Sequence, residues 1–478
     1  MSSVTDEGPS ESRDRLSEAL RRLVLAVRED VIAEGLEADA EALDVASARG
    51  DRPVDRERVW ALEALAAGRR LRAARLRADS EDALLLVWGG DPDHADANAA
   101  LASLYRARHE RAEDAGDRLD AVRWERRLRR HDKAGRHADW LDGTGQLTVR
   151  VAAPDVEVWA EPMRTERPVW APGPAVHLGA APVENARLAA GPHRLRLRRT
   201  GREDVVVPVR VLRAECSTLD ALTLPERDDD EFVHVSAGTF VYGGDPEGDY
   251  PLPQSRPFLP GFDVARFPVT LGEYVVFLND LFRRDPDQAL HRVPRRPAPG
   301  GPRALLRARR DRAEPFDTAD LDPLSNESVH DHAATGISHG DASAFSAWRS
   351  LRDGVTYRLP SEREWEKAAR GTDGRIFPWG DRFDSSLCHM RYTRPGRPRP
   401  APVGFVDTDE SPYGVRDMAG GVLEWCRPGS DPMPGDGMPI RGGCWHSSAR
   451  PCRAADRFGA GPDYVDPALG FRLVRAVD

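Results

Sequence analysis

The stretch Arg441-Gly442-Gly443-Cys444-Trp445-His446, answered about twenty-five residues later by Leu469-Gly470-Phe471-Arg472-Leu473-Val474, decides how this chain is read. Between the two lie His446, Ser447, Ser448, Arg450, Asp456, Arg457, Phe458, Tyr464 and Asp466, in a segment with no helical or strand period and little capacity for a core. Aromatic, small and charged residues mixed in this way on a rigid scaffold suit adaptable recognition. Trp445, Arg450, Arg457 and Tyr464 are of the types that dominate binding hot spots. A ligand-binding face is therefore expected on His446, Ser447, Ser448, Arg450, Arg457, Phe458, Tyr464 and Asp466. Alanine at Arg457, Phe458 or Tyr464 is expected to weaken binding and leave the domain folded.

The rest of the chain bounds what that face can serve. At 478 residues two or three domains are expected. No apolar run approaches the ~18 residues of a membrane span, and the start, Met1 to Glu7, is acidic rather than signal-like. A cytoplasmic protein without membrane contact is the expectation. The five cysteines, Cys216, Cys388, Cys426, Cys444 and Cys452, form no CxxC and suit reduced thiols better than a disulfide framework. A net charge of -10 speaks against nucleic acid as a partner. Lys133 and Lys367 are the only lysines, and a GC-rich genome accounts for the excess of arginine.

Residues 1–13 are polar and expected to be a disordered tail. From 14 to 142 the pattern is helical: Leu16, Leu20, Leu23, Val27 and Val31 recur at helical spacing, and Arg58 to Ala78 repeats it. After Asp91-Pro92-Asp93, residues 94–109 and 117–130 read as a helical hairpin resembling a tetratricopeptide unit. A single unit cannot bury both its faces, so it should pack on the preceding helices. That region is expected to serve as a spacer or dimerisation surface, or as a seat for a protein partner. Over 143–225, Leu147 to Val151, Val156 to Trp159, His193 to Leu197 and Val205 to Val211 alternate in period two, which predicts a small antiparallel sandwich. With Ala153-Pro154-Asp155 and Ala189-Ala190-Gly191-Pro192 it resembles the bacterial PEGA module, named for its Pro-Glu-Gly-Ala motif, an adaptor rather than a catalyst. Residues 226–231 form an acidic linker.

From 232 to 478 several motifs stand in fixed order. They are Phe232 to Phe240, Ala265 to Thr270, Gly336-Ile337-Ser338, Tyr357 to Gly371, Phe377 to Asp381, Ser411 to Val415 and Glu424-Trp425, with an irregular Arg/Pro insertion at 284–316. Ser361 followed by Glu364 is a capping box. Together with the two opening stretches, these motifs resemble the formylglycine-generating-enzyme (sulfatase-modifying-factor) family, which implies an α+β, C-type-lectin-like fold. The order of helical region, sandwich and this domain resembles the tail of certain bacterial serine/threonine kinases. No Gly-rich loop before a strand lysine, HRD or DFG occurs, so phosphoryl transfer by this chain is not expected.

The family's oxidase binds copper(I) through two cysteines beyond its RGGS motif. Counted from that serine, which is Cys444 here, the first thiol falls on Ser447 and the second on Cys452. The resemblance therefore leaves one matched thiol, with Cys444 and Cys452 as a fallback catalytic pair. Related sulfoxide synthases hold iron through an HxxxHxE-like pattern. His94, His109, His131 and His137 do not make that spacing, and His330, His332 and His339 are expected in solvent. The calcium sites implied by the resemblance meet His389 and Gly421 where asparagines are usual, so calcium is doubtful. Asp407, Asp409 and Glu410 are expected in a solvated acidic loop. Diversity-generating-retroelement variable proteins share this fold and diversify its C-terminal segment. The chain thus reads as a non-catalytic binding or sensing module for a protein or small ligand, whether a variable protein or a signalling component. The alternative is a copper- or iron-dependent oxidase acting on a thiol.

Overall fold

The computed structural model describes residues 9–48, 56–114, 117–164, 168–202, 204–225, 229–299, 301–320, 329–429, 431, 433 and 437–477. They fall into two units, Met1–Gly143 and Thr144–Asp478.

In the first unit α1 (Pro9–Ala48) and α2 (Arg56–Gly90) run antiparallel, with ion pairs Arg69–Glu29 at 2.9 Å and Arg70–Glu37 at 2.8 Å fixing their register. Helix already covers residues 9–13, where a disordered tail was expected, and residues 1–8 lie outside the described ones. The single apolar face expected of α1 divides, because Leu16 and Leu23 lie inward whereas Leu20, Val27 and Val31 stay exposed. The hairpin of α3 (Ala95–Asp114) and α4 (Arg118–His131), followed by the single turn α5 (Ala138–Leu141), packs Leu101, Tyr105 and Leu128 against Leu16, Leu84 and Val87. Two of its histidines fasten it. His131 Nδ1 meets Asn98 Oδ1 at 2.9 Å, with burial pushing its pKa down to about 4, and His109 Nδ1 accepts from Trp140 Nε1 at 3.1 Å.

The second unit opens with the sandwich. One sheet holds Val183–Ala189, Thr144–Val151 and Cys216–Leu222 in that order. The other centres on Val156–Arg164, Gly191–Arg199 and Val205–Val211. Leu147, Val158, Leu195 and Val209 fill the space between them. The expectation of a wholly antiparallel sandwich is corrected, since Thr144–Val151 and Cys216–Leu222 run parallel. Nor does the sandwich stand apart from the C-terminal domain: Trp170 N donates to Trp379 O at 2.8 Å, Thr372 Oγ1 to Pro208 O at 3.0 Å, and the Arg375 guanidinium lies 4.5 Å from the Trp170 ring centre.

In that domain, a four-stranded antiparallel sheet orders Tyr357–Arg358, Val474–Ala476, Phe262–Ala265 and Phe232–Val235. Helices α6 (Leu271–Arg284) and α8 (His339–Asp353) pack Tyr274, Phe277, Phe345 and Trp348 around Phe471. Both start with complete capping boxes, Thr270 with Glu273 and Ser338 with Asp341, and Ser361 with Glu364 does the same for α9 (Glu362–Arg370). Part of the insertion expected to be irregular is ordered, as the short α7 (Pro286–His291) and a ladder of Arg295–Arg296 with Arg303–Ala304. A last sheet orders Arg457–Ala460, Met438–Arg441, Leu423–Trp425 and Leu469–Gly470. The class is α+β. Among the described residues no helix is long and apolar enough to cross a membrane.

Candidate functional site

The signature charges lie inside. Arg472 is fully buried, grips both oxygens of buried Glu424 at 2.6 Å, and donates to the carbonyls of Ala265 and Arg416 at 3.1 and 3.0 Å. Trp365 Nε1 donates to the same carboxylate at 2.9 Å. Arg441, also fully buried, meets Glu366 and donates to Ala454 O at 3.0 Å. Two glycines follow because nothing larger fits: a Cβ on Gly442 (φ 79°) would lie 3.1 Å from the Trp365 ring, and one on Gly443 would lie 2.6 Å from Ala419 O and 3.0 Å from Cys452 Sγ.

Cys444 then enters a closed turn. Its N–H donates to Ser447 Oγ at 3.0 Å, Ser447 N returns a bond to Cys444 O at 2.9 Å, and the thiol sits 3.1 Å from the same hydroxyl. Burial pushes the Cys444 thiol up, away from the thiolate form. Cys452 takes other partners. Its sulfur reaches Ser448 O at 3.4 Å and contacts the Cys388 thiol, which that contact and burial hold well above the usual thiol range. A copper(I) site needs two thiolates converging on one ion, and Ser447, tied into the turn, with Cys452, turned toward Cys388, do not fit it.

The calcium donors are equally engaged. His389 O accepts from Gly421 N at 2.8 Å and Asp417 Oδ2 from Gly404 N at 2.6 Å. Asp409 is buried rather than in a solvated loop and accepts from Ala419 N and Gly420 N, while Asp407 and Glu410 turn to Arg416. Burial, then the nearby Asp417 charge, push Asp409 up to about 7, so its site favours the neutral acid over a cation's ligand. These residues do not fit a calcium ion.

The expected recognition residues separate into groups. His446 is half-buried, its ring edge-on to Trp445 with centres 4.6 Å apart, and Ser448 is exposed beside it. Tyr464 is exposed and donates to Asp466 Oδ2 at 3.3 Å, while Asp466 Oδ1 caps Ala468 N at 2.8 Å. Arg450 is exposed and pairs with Asp249 at 2.5 Å. Three expectations are corrected. Ser447 is buried in the turn, and Phe458 is half-buried against the main core. Arg457 is 2% exposed and doubly bonded to buried Glu362 at 2.7 Å, in a segment that is a strand rather than irregular. His332 and His339, expected in solvent, are half-buried, and His339 stands edge-on to Trp425.

The fold also makes a cavity that sequence reasoning missed. About 150 Å³ in volume, it is walled by Pro268, Leu271, Val403, Phe405, Val422 and Trp445, with His332, His389 and Asp417 as its polar groups. The Trp445 indole N–H is buried with no acceptor, and burial pushes His389 down to about 4, so that ring is neutral. Next to it, sharing Trp445 and Pro400, runs a groove of Arg394, Pro395, Arg397, Pro398 and Arg399 with His446. Among the described residues no carboxylate pairs with any of these three arginines, and Arg394 stacks on Phe405 at 3.7 Å. The available signal was Arg391 to Pro400, four arginines interleaved with three prolines in an acidic chain.

The sulfatase-modifying factor enzyme 1-like domain family matches residues 220–477. The protein called inactive C-alpha-formylglycine-generating enzyme 2 of Mus musculus is 33% identical over 149 residues, covering 28% of this chain and 46% of that one. The formylglycine-generating enzyme of Streptomyces coelicolor is 31% identical over 176 residues, 31% of this chain and 54% of that one. A serine/threonine-protein kinase of Chlamydia trachomatis is 28% identical over 273 residues, 52% of this chain and 38% of that one. The chain thus spans about half or less of these relatives' length. The solved structure of PvdO from Pseudomonas aeruginosa covers 51% of this chain and 94% of that one at 22% identity and TM-score 0.37. Treponema denticola variable protein 1 covers the same shares at 19% identity and TM-score 0.37. With residues 220–477, over half of its 478, so matched, this chain belongs to the sulfatase-modifying factor enzyme 1-like, or formylglycine-generating-enzyme, family.

Proposed function

We propose that the chain is a non-catalytic recognition module whose C-terminal face takes a ligand carrying an apolar group beside an anionic one. The observation behind this reading is the Trp445 indole N–H, buried without an acceptor at the wall of an apolar cavity. A buried donor left without a partner costs about 1–3 kcal/mol, which a bound acceptor would recover. The unpaired Arg394, Arg397 and Arg399 beside it favour negative charge on the ligand. The rival reading is a copper- or iron-dependent oxidase acting on a thiol, and for its copper form the two thiols in contact are Cys388 and Cys452. A labelled peptide bearing one leucine among glutamates, titrated by fluorescence anisotropy, should bind saturably to the wild-type chain and less tightly to Trp445→Phe. Equal binding by Trp445→Phe, or no binding at all together with stoichiometric copper or iron in the purified chain, would overturn the reading.

A further inference from the structure

Trp445 stands where two hollows meet. It walls the apolar cavity of about 150 Å³ and also the open groove of about 930 Å³ beside it, which Arg394, Pro395, Arg397, Pro398 and Arg399 line. A cavity of about 150 Å³ admits a group the size of benzene, whereas drug-sized ligands fill about 300–1,000 Å³. One large side chain therefore fills it, and the rest of the ligand has to lie in the groove. At the junction the groups without a partner are donors. The Trp445 indole N–H is buried with no acceptor. The Arg394 guanidinium, which meets no carboxylate among the described residues, lies 3.7 Å from the centre of the Phe405 ring, itself a wall of the cavity. Burial, then the Arg394 charge, push His389, a second wall, down to about 4, so this cation stands at the cavity as well as in the groove. The carboxylate in the cavity wall, Asp417, is already engaged: its Oδ2 accepts from Gly404 N at 2.6 Å, and the charges of Arg472 and Arg416 act on it. Prolines 395, 398 and 400 fix the φ angles of the arginine segment, which lowers the cost of ordering it around a ligand.

Resting on the reading of this face as a recognition site, we infer that its ligand is the C-terminal end of another protein chain. A large aliphatic last residue enters the cavity, its α-carboxylate meets the Trp445 N–H and Arg394, and acidic side chains before it lie along Arg397 and Arg399. An ionised carboxylate accepts and never donates, which matches two donors. An internal residue instead continues into a further peptide N–H, a donor brought up against donors. In a last residue the side chain and the carboxylate leave the same carbon, so the apolar and anionic groups are held together without ordering a second side chain. The carboxylate of a neighbouring glutamate sits on a flexible stem that costs rotamer entropy to fix. A free small acid would leave the groove empty and Arg397 and Arg399 unanswered. Capture of a chain's terminal carboxylate by fixed donors is a recurrent mode of peptide recognition.

Fluorescence anisotropy on the full chain tests this with three labelled peptides of equal charge. They are a run of glutamates ending in leucine with a free carboxylate, the same run amidated and given one more glutamate, and an amidated run with the leucine at its centre. The free acid should bind about ten- to a hundredfold tighter than either amide, the worth of hydrogen bonds to a charged group. Trp445→Phe and Arg394→Ala should each erase most of that preference, and N-acetyl-leucine should compete only weakly. Equal affinity for acid and amides, both weakened by Trp445→Phe, overturns the inference and leaves the recognition face standing. A preference that Arg394→Ala leaves intact overturns it too, as does N-acetyl-leucine competing as well as the peptide, which would assign the site to a free small acid. No saturable binding by any of the three peptides overturns the inference, and stoichiometric copper or iron in the same sample overturns the reading beneath it as well.

Discussion

Replacing Arg457 by alanine should destabilise the second unit by about 3 kcal/mol. The guanidinium and its partner Glu362 are each 2% exposed and joined by two bonds of 2.7 Å. Alanine leaves the Glu362 carboxylate in the interior, and removing one partner of such a pair costs about 3–5 kcal/mol. The lower end applies because Arg441 remains 3.7 Å from Glu362 as a residual partner. At about 2–4 °C per kcal/mol for a large domain, the midpoint should fall by roughly 6–12 °C. Arg450 is the control. Its side chain is 59% exposed against Asp249, and an open pair of that kind is worth about 0–1 kcal/mol, so Arg450→Ala should move the midpoint by less than about 4 °C. Thermal unfolding followed by near-ultraviolet circular dichroism on the full chain reads both variants. An Arg457→Ala midpoint within about 2 °C of wild type would refute the reasoning.

Further outcomes concern the turn and the buried acids. Cys444→Ser keeps an oxygen within reach of Ser447 Oγ and should cost less than about 1–2 kcal/mol in urea unfolding; a larger loss would mean that the sulfur's size matters to the packing. Copper-loaded chain incubated with a CxPxR peptide should leave the peptide mass unchanged, and loss of its sulfur at catalytic rates would contradict the geometry of Ser447 and Cys452. Asp409, pushed up to about 7, and Asp417, pushed up to about 6 by burial, hold protons more tightly folded than unfolded. Their contribution is therefore present below about pH 4 and lost as pH rises through about 6 to 7, since stability falls with pH wherever the native state binds more protons. Asp409→Asn should flatten that fall between about pH 4 and 7 in a melting series, and a parallel pH profile for the two proteins would exclude it.

Periodicity made the helices and the best strands legible. Alternation is clean at Val205 to Val211 because one side faces the sandwich core, whereas Val176–Ala180, with Val176 half-exposed and Gly179 within it, has no buried face to pattern. The signature motifs located the C-terminal domain, but their charges turned out to frame its interior. Arg457 was read as surface because arginine usually is, and its partner Glu362 lies 95 residues away, beyond the reach of any local pattern. The cavity was hidden for the same reason. Its walls come from loops at Pro268, Val403, Phe405, Val422 and Trp445 that only the folded sheets bring together. Docking of the sandwich through Trp170 likewise left no periodic trace, since its contacts include an aromatic ring, a main-chain bond and a hydroxyl rather than a patterned face.

The turn from Cys444 to Ser447 has a consequence for how such a domain changes its trade. Where the family resemblance places serine first and thiol second, this chain has thiol first and serine second, so one sulfur and one oxygen have changed seats across a turn of four residues. The inventory of atoms is the same in both arrangements, and the main-chain bond that closes the turn, Ser447 N to Cys444 O, does not depend on either side chain, whereas the bond from Cys444 N needs the Ser447 Oγ. The main-chain closure of the turn is therefore indifferent to the exchange. Redox chemistry depends wholly on which seat the sulfur occupies. Exchanging the two residues back would therefore return a thiol to position 447 while leaving that main-chain bond in place.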